Sequence, residues 1–244
     1  MEKALVVHEL AKSYGSLIAL DNLSFEVERG EIFGLLGHNG AGKTTSIECI
    51  LGVKKADRGS ALIFSKNPRK DRRQVFEKVG VQFQQSSYQD KIRVDEICQV
   101  TASLYKTPAD WEALLNTFGL EEMKKKMVAE LSGGERQRLS VLLALIPDPE
   151  LVFLDELTTG LDAKARRDVW KYLEGLKQRG LTIMLTSHYM DEVSILCDRI
   201  CILKKGNTVF SGTVSEAIES SPFDNLEEAY LWYSGEEVYT DENI

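Results

Sequence analysis

No stretch of this sequence is apolar for long enough to cross a bilayer. The longest nearly unbroken run, Leu139 to Ile146, falls far short of the roughly 18–20 residues that a span requires. Charges are spread through residues 1–20, so a cleavable leader is not expected. Cysteine is scarce: Cys49, Cys98, Cys197 and Cys201 are scattered, and the closest pair is a CxxxC with no histidine cluster nearby. That excludes a disulfide framework and a zinc site, leaving reduced thiols as the expectation. Positive charge is not in excess either. The net charge is −8, and residues 224–244 hold seven acidic residues without a Lys or Arg, so the rest of the chain is close to neutral. Duplex nucleic acid is held mainly by a basic face, and no nucleic-acid partner is expected. There is no internal repeat and no low-complexity linker.

What is present is the composition of an ordinary globular protein, with 43% hydrophobic residues in 244, enough to bury one substantial core. Leu23, Phe25 and Val27 alternate with Ser24, Glu26 and Glu28, the period of a half-buried strand, so antiparallel strands open the chain. Residues 31–36, 150–154 and 181–185 are instead almost continuously apolar, as in strands covered on both faces. Helical patterns lie between them, which implies a parallel sheet wrapped by helices. Thr107 with Pro108 after it reads as a helix start, with Trp111, Leu114, Leu115 and Phe118 on one face. Asp162 reads as the cap of another helix whose stripe is Val169, Trp170, Leu173 and Leu176, ending at Gly180. From about 85 to 145 the pattern is helical, as in a helical lobe inserted into an α/β core.

Two segments carry chemistry. Gly37-His38-Asn39-Gly40-Ala41-Gly42-Lys43-Thr44 matches GxxxxGK[ST] between a buried strand and a helical segment. Glycines let the backbone turn tightly and aim N–H groups at phosphate oxygens, while the following helix adds the positive end of its dipole. Lys43 would then reach the β- and γ-phosphates, and the Thr44 hydroxyl would hold Mg²⁺, with Thr45 beside it. Asp155 and Glu156 end a buried strand, where open α/β sheets place ligand chemistry. There Asp155 can hold the metal, and Glu156 can polarise an attacking water.

Leu131-Ser-Gly-Gly-Glu-Arg-Gln137, in order with those motifs, resembles the nucleotide-binding subunit of ABC transporters over residues 1 to about 215. Ser132, Gly133 and Gly134 would sit at the N-terminus of a helix carrying Leu139, Leu142, Leu143 and Ile146, where hydroxyl, backbone N–H and dipole can grip a phosphate. The resemblance implies a P-loop NTPase of the α/β class. It would have a RecA-like parallel sheet core, an N-terminal antiparallel β subdomain and an inserted α-helical subdomain. The nucleotide-binding domain would span 1–220, with the helical subdomain at about 85–145 and a short acidic, solvated tail at 221–244. It further implies ATP and Mg²⁺ as ligands, and an ATP-dependent homodimer in which each signature segment closes over the partner's nucleotide.

The family's other site residues fall on this sequence one at a time. Tyr14 matches the aromatic that stacks on adenine. Gln84, with Gln82 and Gln85 beside it, matches the glutamine that contacts Mg²⁺ and the water. Asp162 matches the loop aspartate that touches the partner subunit, and His188 the histidine that hydrogen-bonds the γ-phosphate. Leu157 stands where the family usually has proline, so the loop bearing Glu156 is expected to be less rigid.

The function implied is that of a cytoplasmic ATPase on the inner face of the cell membrane. It would drive a separate integral membrane permease, met by the lobe around residues 85–100. His38, the Gly80–Gln84 stretch and the short tail with Asn225–Leu231 resemble the ATPases of bacterial drug and peptide exporters, with an importer as the alternative. A soluble ABC ATPase acting on ribosomes or DNA would usually carry two motif sets or a long coiled-coil insertion, and a P-loop kinase would lack Leu131–Gln137 and His188.

Overall fold

A computed structural model describes residues 2–83, 88–158 and 160–235. In chain order the strands are β1 (Lys3–Tyr14), β2 (Leu17–Glu28), β3 (Ile32–Leu36), β4 (Arg58–Ile63), β5 (Val79–Gln82), β6 (Leu151–Asp155), β7 (Thr182–Ser187), β8 (Arg199–Lys204) and β9 (Asn207–Thr213). The helices are α1 (Lys43–Ile50), α2 (Arg72–Phe76), α3 (Val94–Ser103), α4 (Trp111–Thr117), α5 (Gly133–Leu145), α6 (Ala163–Gln178), α7 (Met190–Leu196), α8 (Val214–Glu219) and α9 (Leu226–Ser234). They fold as two compact units, residues 1–70 with 186–244, and residues 71–185.

In the first unit β1 pairs antiparallel with both β2 and β4, forming the antiparallel layer that the alternation at Leu23, Phe25 and Val27 predicts. β3 runs parallel to β8, and β9 returns antiparallel beside β8. All five residues of β3 are buried, which explains why its sequence does not alternate. The Phe25 and Phe33 rings stack with centroids 4.9 Å apart, joining the antiparallel layer to β3. The acidic tail begins as more than a solvated strand of chain: in α9, capped by Asn225, Leu226, Ala229 and Tyr230 are buried, and Tyr233 packs on Phe210.

In the second unit β5 and β6 pair in parallel, with β7 on the other side of β6. Between β5 and β6 the described residues form helices and short 3₁₀ turns, without a named strand. α6 begins at the Asp162 cap, whose carboxylate accepts from the N–H groups of Lys164 and Ala165 at 2.9 Å. It buries Val169, Trp170 and Leu173.

One helix start differs from its expectation. α4 begins at Trp111 with Asp110 as its cap, not at Pro108 with Thr107 as cap. The Asp110 carboxylate takes the N–H groups of Glu112 and Ala113 at 3.0 and 3.2 Å, while the Ala109 N–H is drawn to the Ile146 carbonyl at 2.8 Å. A two-bond aspartate cap together with that tertiary hydrogen bond outweighs the favourable proline position upstream.

At Gly80 β5 lies so close to α5 that an added Cβ would collide with the Ala144 carbonyl oxygen. Backbone on both sides of the collision leaves no flexible side chain to yield. Gly80→Ala is expected to lower unfolding free energy by about 1–3 kcal/mol, read as a shift of the urea midpoint at unchanged slope.

Candidate functional site

The residues singled out by sequence fall into two sets, one in each unit. The first unit carries Tyr14, residues 37–45 and His188; the second carries Ser132, Gly133, Gly134, Asp155, Glu156 and Asp162. Gln84 lies outside the described residues.

In the first set, β3 delivers the chain into a loop that turns through Gly40 (φ 84°) and Gly42 (φ 110°) before α1 starts at Lys43. A side chain at Gly42 would meet the Ala19 carbonyl at 2.5 Å and Leu20 at 2.9 Å, so both space and backbone angle demand glycine. The loop is tied down by the Ala41 N–H to the His38 carbonyl (3.0 Å) and by the Gly206 N–H to the Ala41 carbonyl (2.9 Å). The Lys43 ammonium, 6% exposed, donates to the carbonyls of Gly37 (2.6 Å) and His38 (3.2 Å). These two main-chain carbonyl oxygens hold the ammonium at the loop.

The start of α1 has no side-chain cap and no acidic residue in its first turn. α4, α5, α6, α8 and α9 all carry a capping side chain that accepts from a first-turn N–H. A glycine turn leading into a helix start with no acidic first-turn residue, next to a buried ammonium, is an arrangement that suits an anion with several oxygens.

Tyr14 ends β1 with 40% exposure, and the ammonium groups of Lys12 and Lys54 each lie 5.3 Å from its ring centroid. The Glu48 carboxylate, and then the Tyr14 hydroxyl, hold the Lys54 ammonium above its usual pKa. Leu17 and Ile18, across the hairpin, are exposed as well, so an apolar and aromatic surface is open here for a flat ring. His188 follows β7 and is exposed, with its ring 4.2 Å from that of Tyr189.

In the second set, Asp155 is 1% exposed at the end of β6, and Glu156 follows with φ 55°, a left-handed backbone rarely taken by non-glycine residues. Three successive carbonyls around it are held by two glutamines. Gln82 Nε2 donates to the Asp155 carbonyl at 3.1 Å, and Gln137 Nε2 donates to those of Glu156 (3.1 Å) and Leu157 (2.8 Å). Leu157 is itself fully buried. The loosening expected from leucine in place of proline is therefore opposed by packing and by these hydrogen bonds. Gln137, the last residue of the signature segment, and Gln82, a neighbour of Gln84, have no role that their sequence positions alone reveal.

Ser132 caps α5 as expected, but in a reciprocal arrangement. Its hydroxyl accepts from the Glu135 N–H at 3.3 Å, and the Glu135 carboxylate accepts from the Ser132 N–H at 2.7 Å. Gly133 has open space where a side chain would stand, leaving the backbone approachable. Asp162 keeps a lowered pKa, first through the Ala165 N–H.

A β-strand, a glycine loop with its lysine, and the helix that follows make the arrangement of a P-loop NTPase. The ABC transporter family matches residues 20–159, more than half of the chain. Nod factor export ATP-binding protein I of Paraburkholderia xenovorans is 38% identical over 224 residues, 90% of this chain and 74% of that one. The protein of the same name from Ralstonia nicotianae is 38% identical over 219 residues, 88% and 68% of the two chains. A solved ATP-binding subunit of an ABC transporter superimposes with a TM-score of 0.87 at 26% identity, covering 95% of this chain and 99% of that one. The chain belongs to the ABC transporter family, as an ATP-binding subunit with ATPase activity.

The Glu135 carboxyl lies below its usual pKa, mainly through the Ser132 N–H and then the Ser132 hydroxyl. A depressed folded-state pKa gives stability that is present above the unfolded value near 4.5 and is lost as pH falls through the folded one. The stability gap between the native chain and Glu135→Gln is therefore expected to shrink as pH is lowered from 6 to 3.5, measured by urea unfolding at each pH.

Proposed function

We propose that this ATPase drives export of a small organic compound, of the drug, peptide or similar class, through a separate integral membrane permease, working as a homodimer that closes on two ATP. The observation that carries the nucleotide chemistry is the helix start of α1, without a capping side chain and with Lys43 buried beside it. The names of the relatives support export over import, because both are export ATP-binding proteins. Among the described residues no helix is long and apolar enough to cross a membrane, and the transport path is assigned to the permease. The chain would bind that partner at the cytoplasmic face through the lobe near residues 85–100.

In this reading the N–H groups of residues 39–45 and the Lys43 ammonium hold the β- and γ-phosphates, while Tyr14 stacks on the adenine. Thr44, Asp155 and Gln84 would hold Mg²⁺, a hard cation that keeps several waters and so needs few protein ligands. When bound, Mg²⁺ offsets charge on the phosphate oxygens. Glu156 accepts a proton from the water that attacks the γ-phosphorus, the bond to the β–γ bridging oxygen breaks, and ADP leaves. His188 orients that water and the phosphate. Ser132, Gly133 and Gly134 grip the nucleotide of the second copy, and Asp162 touches that copy. Two nucleotides buried between copies give ATP higher affinity for the closed state, the condition for a ligand-driven stroke.

Glu156→Gln is expected to keep ATP binding, to cut phosphate release by about 10²-fold or more, and to trap a nucleotide-bound dimer visible by gel filtration. Unchanged release would place the base elsewhere. Lys43→Ala should weaken binding of ATP itself, measured by calorimetry, and native affinity would count against the phosphate loop. Affinity capture of tagged Glu156→Gln protein from solubilised membranes with ATP should bring down a polytopic membrane protein in stoichiometric amount. Capture of ribosomal or DNA-bound factors instead would overturn the transport reading and leave the ATPase intact.

A further inference from the structure

The second unit contains a device that the motif reading did not use. Glu156 has its backbone in the left-handed region, which costs a non-glycine residue on the order of 1 kcal/mol and persists only where the surroundings over-determine it. The determinants are side-chain amides. Gln137 Nε2 bridges the carbonyls of Glu156 and Leu157 at 3.1 and 2.8 Å, and Gln82 Nε2 holds the carbonyls of Phe83 and Asp155 at 2.9 and 3.1 Å. Gln82 is 2% exposed, and its Oε1 is buried without a hydrogen-bond partner among the described residues. Burying an unsatisfied carbonyl oxygen is unfavourable, so the donors on the same amide must contribute enough to offset it. Gln137 is half-buried on α5, about one helical turn beyond the Ser132 cap, on a rigid 13-residue helix.

We propose that Gln137 is a positioning residue for hydrolysis: its amide fixes the carbonyls on either side of the Glu156–Leu157 peptide and thereby links the start of the signature helix α5 to the direction in which the Glu156 carboxylate points. Gln82 holds the preceding carbonyl and sets the base of the same clamp. The inference rests on the reading of Glu156 as the general base. Displacement of α5 along its axis would be passed directly to the Glu156 backbone, because no flexible segment intervenes between the Gln137 Cα and the bonded carbonyls other than one side chain. Misplacing a reacting group by about 1 Å can cost as much as 10²-fold in rate, so loss of the clamp is expected to act on turnover and to leave ATP binding unchanged.

The test compares Gln137→Met, which keeps length and volume but has no donor, with Gln137→Lys, which keeps length and restores one. Steady-state phosphate release by the purified full chain should show kcat reduced by about tenfold or more in the Met variant, with KM for ATP within about twofold of native. The Lys variant should recover at least about a third of native kcat, a rescue that packing alone would not produce. A Met variant with native kcat, a loss confined to KM, or a Lys variant no better than Met would overturn the proposal. If the Met variant does not fold, Gln137→Leu, which also has no donor, carries the same kcat criterion, and failure of both to fold would make Gln137 a support of the fold and sink the proposal. Glu156→Gln separates this from the underlying reading. Loss of turnover in Glu156→Gln beside native kcat in Gln137→Met removes only the clamp, while turnover retained in Glu156→Gln removes the base.

Discussion

Backbone N–H groups at a helix start must find acceptors, and the way this chain distributes them organises the molecule. Five helices satisfy the requirement with their own side chains, through Asp110, Ser132, Asp162, Thr213 and Asn225. α1 does not. The tight glycine turn at Gly42 leaves no room for a side chain, and the first-turn residues that follow are a lysine and two threonines. A carboxylate cap at that point would stabilise α1 in isolation and would compete with a phosphate for the same donors. In the proposed reading, the absence of such a cap favours phosphate at this helix start.

The second unit solves a different problem, that of holding a carboxylate in an unfavourable backbone conformation next to a buried one. Asp155 is enclosed by β6, and Glu156 turns away through positive φ. Without a proline to stiffen the next residue, the loop is held by a leucine in the core and by glutamine amides. Both glutamines donate to main-chain carbonyls, so the constraint applies to the path of the backbone.

Much of the fold was legible because its signals are local. Continuous apolar runs marked β3, β6 and β7, alternation marked β2, and Asp162 announced α6 through the two N–H groups it accepts. The start of α4 was misread because its outcome depends on Ala109 reaching the end of α5, a contact that no window around Thr107 contains. The buried face of α9 was hidden by the acidic composition around it, since Leu226, Ala229 and Tyr230 are few among many charges and matter only when packed.

The sequence by itself marked the candidate phosphate loop, carboxylate pair and signature segment, because each depends on residue types at fixed short spacing. Tertiary structure decided what orients them. Gln137 meets carbonyls 19 and 20 residues away, and Gln82 one 73 residues away. A glutamine in a helix or strand has no pattern that distinguishes a solvated amide from one bridging two carbonyls. The distinction exists only once β5, β6 and α5 have packed, because hydrogen bonds form between atoms brought within about 3 Å whatever their separation along the chain.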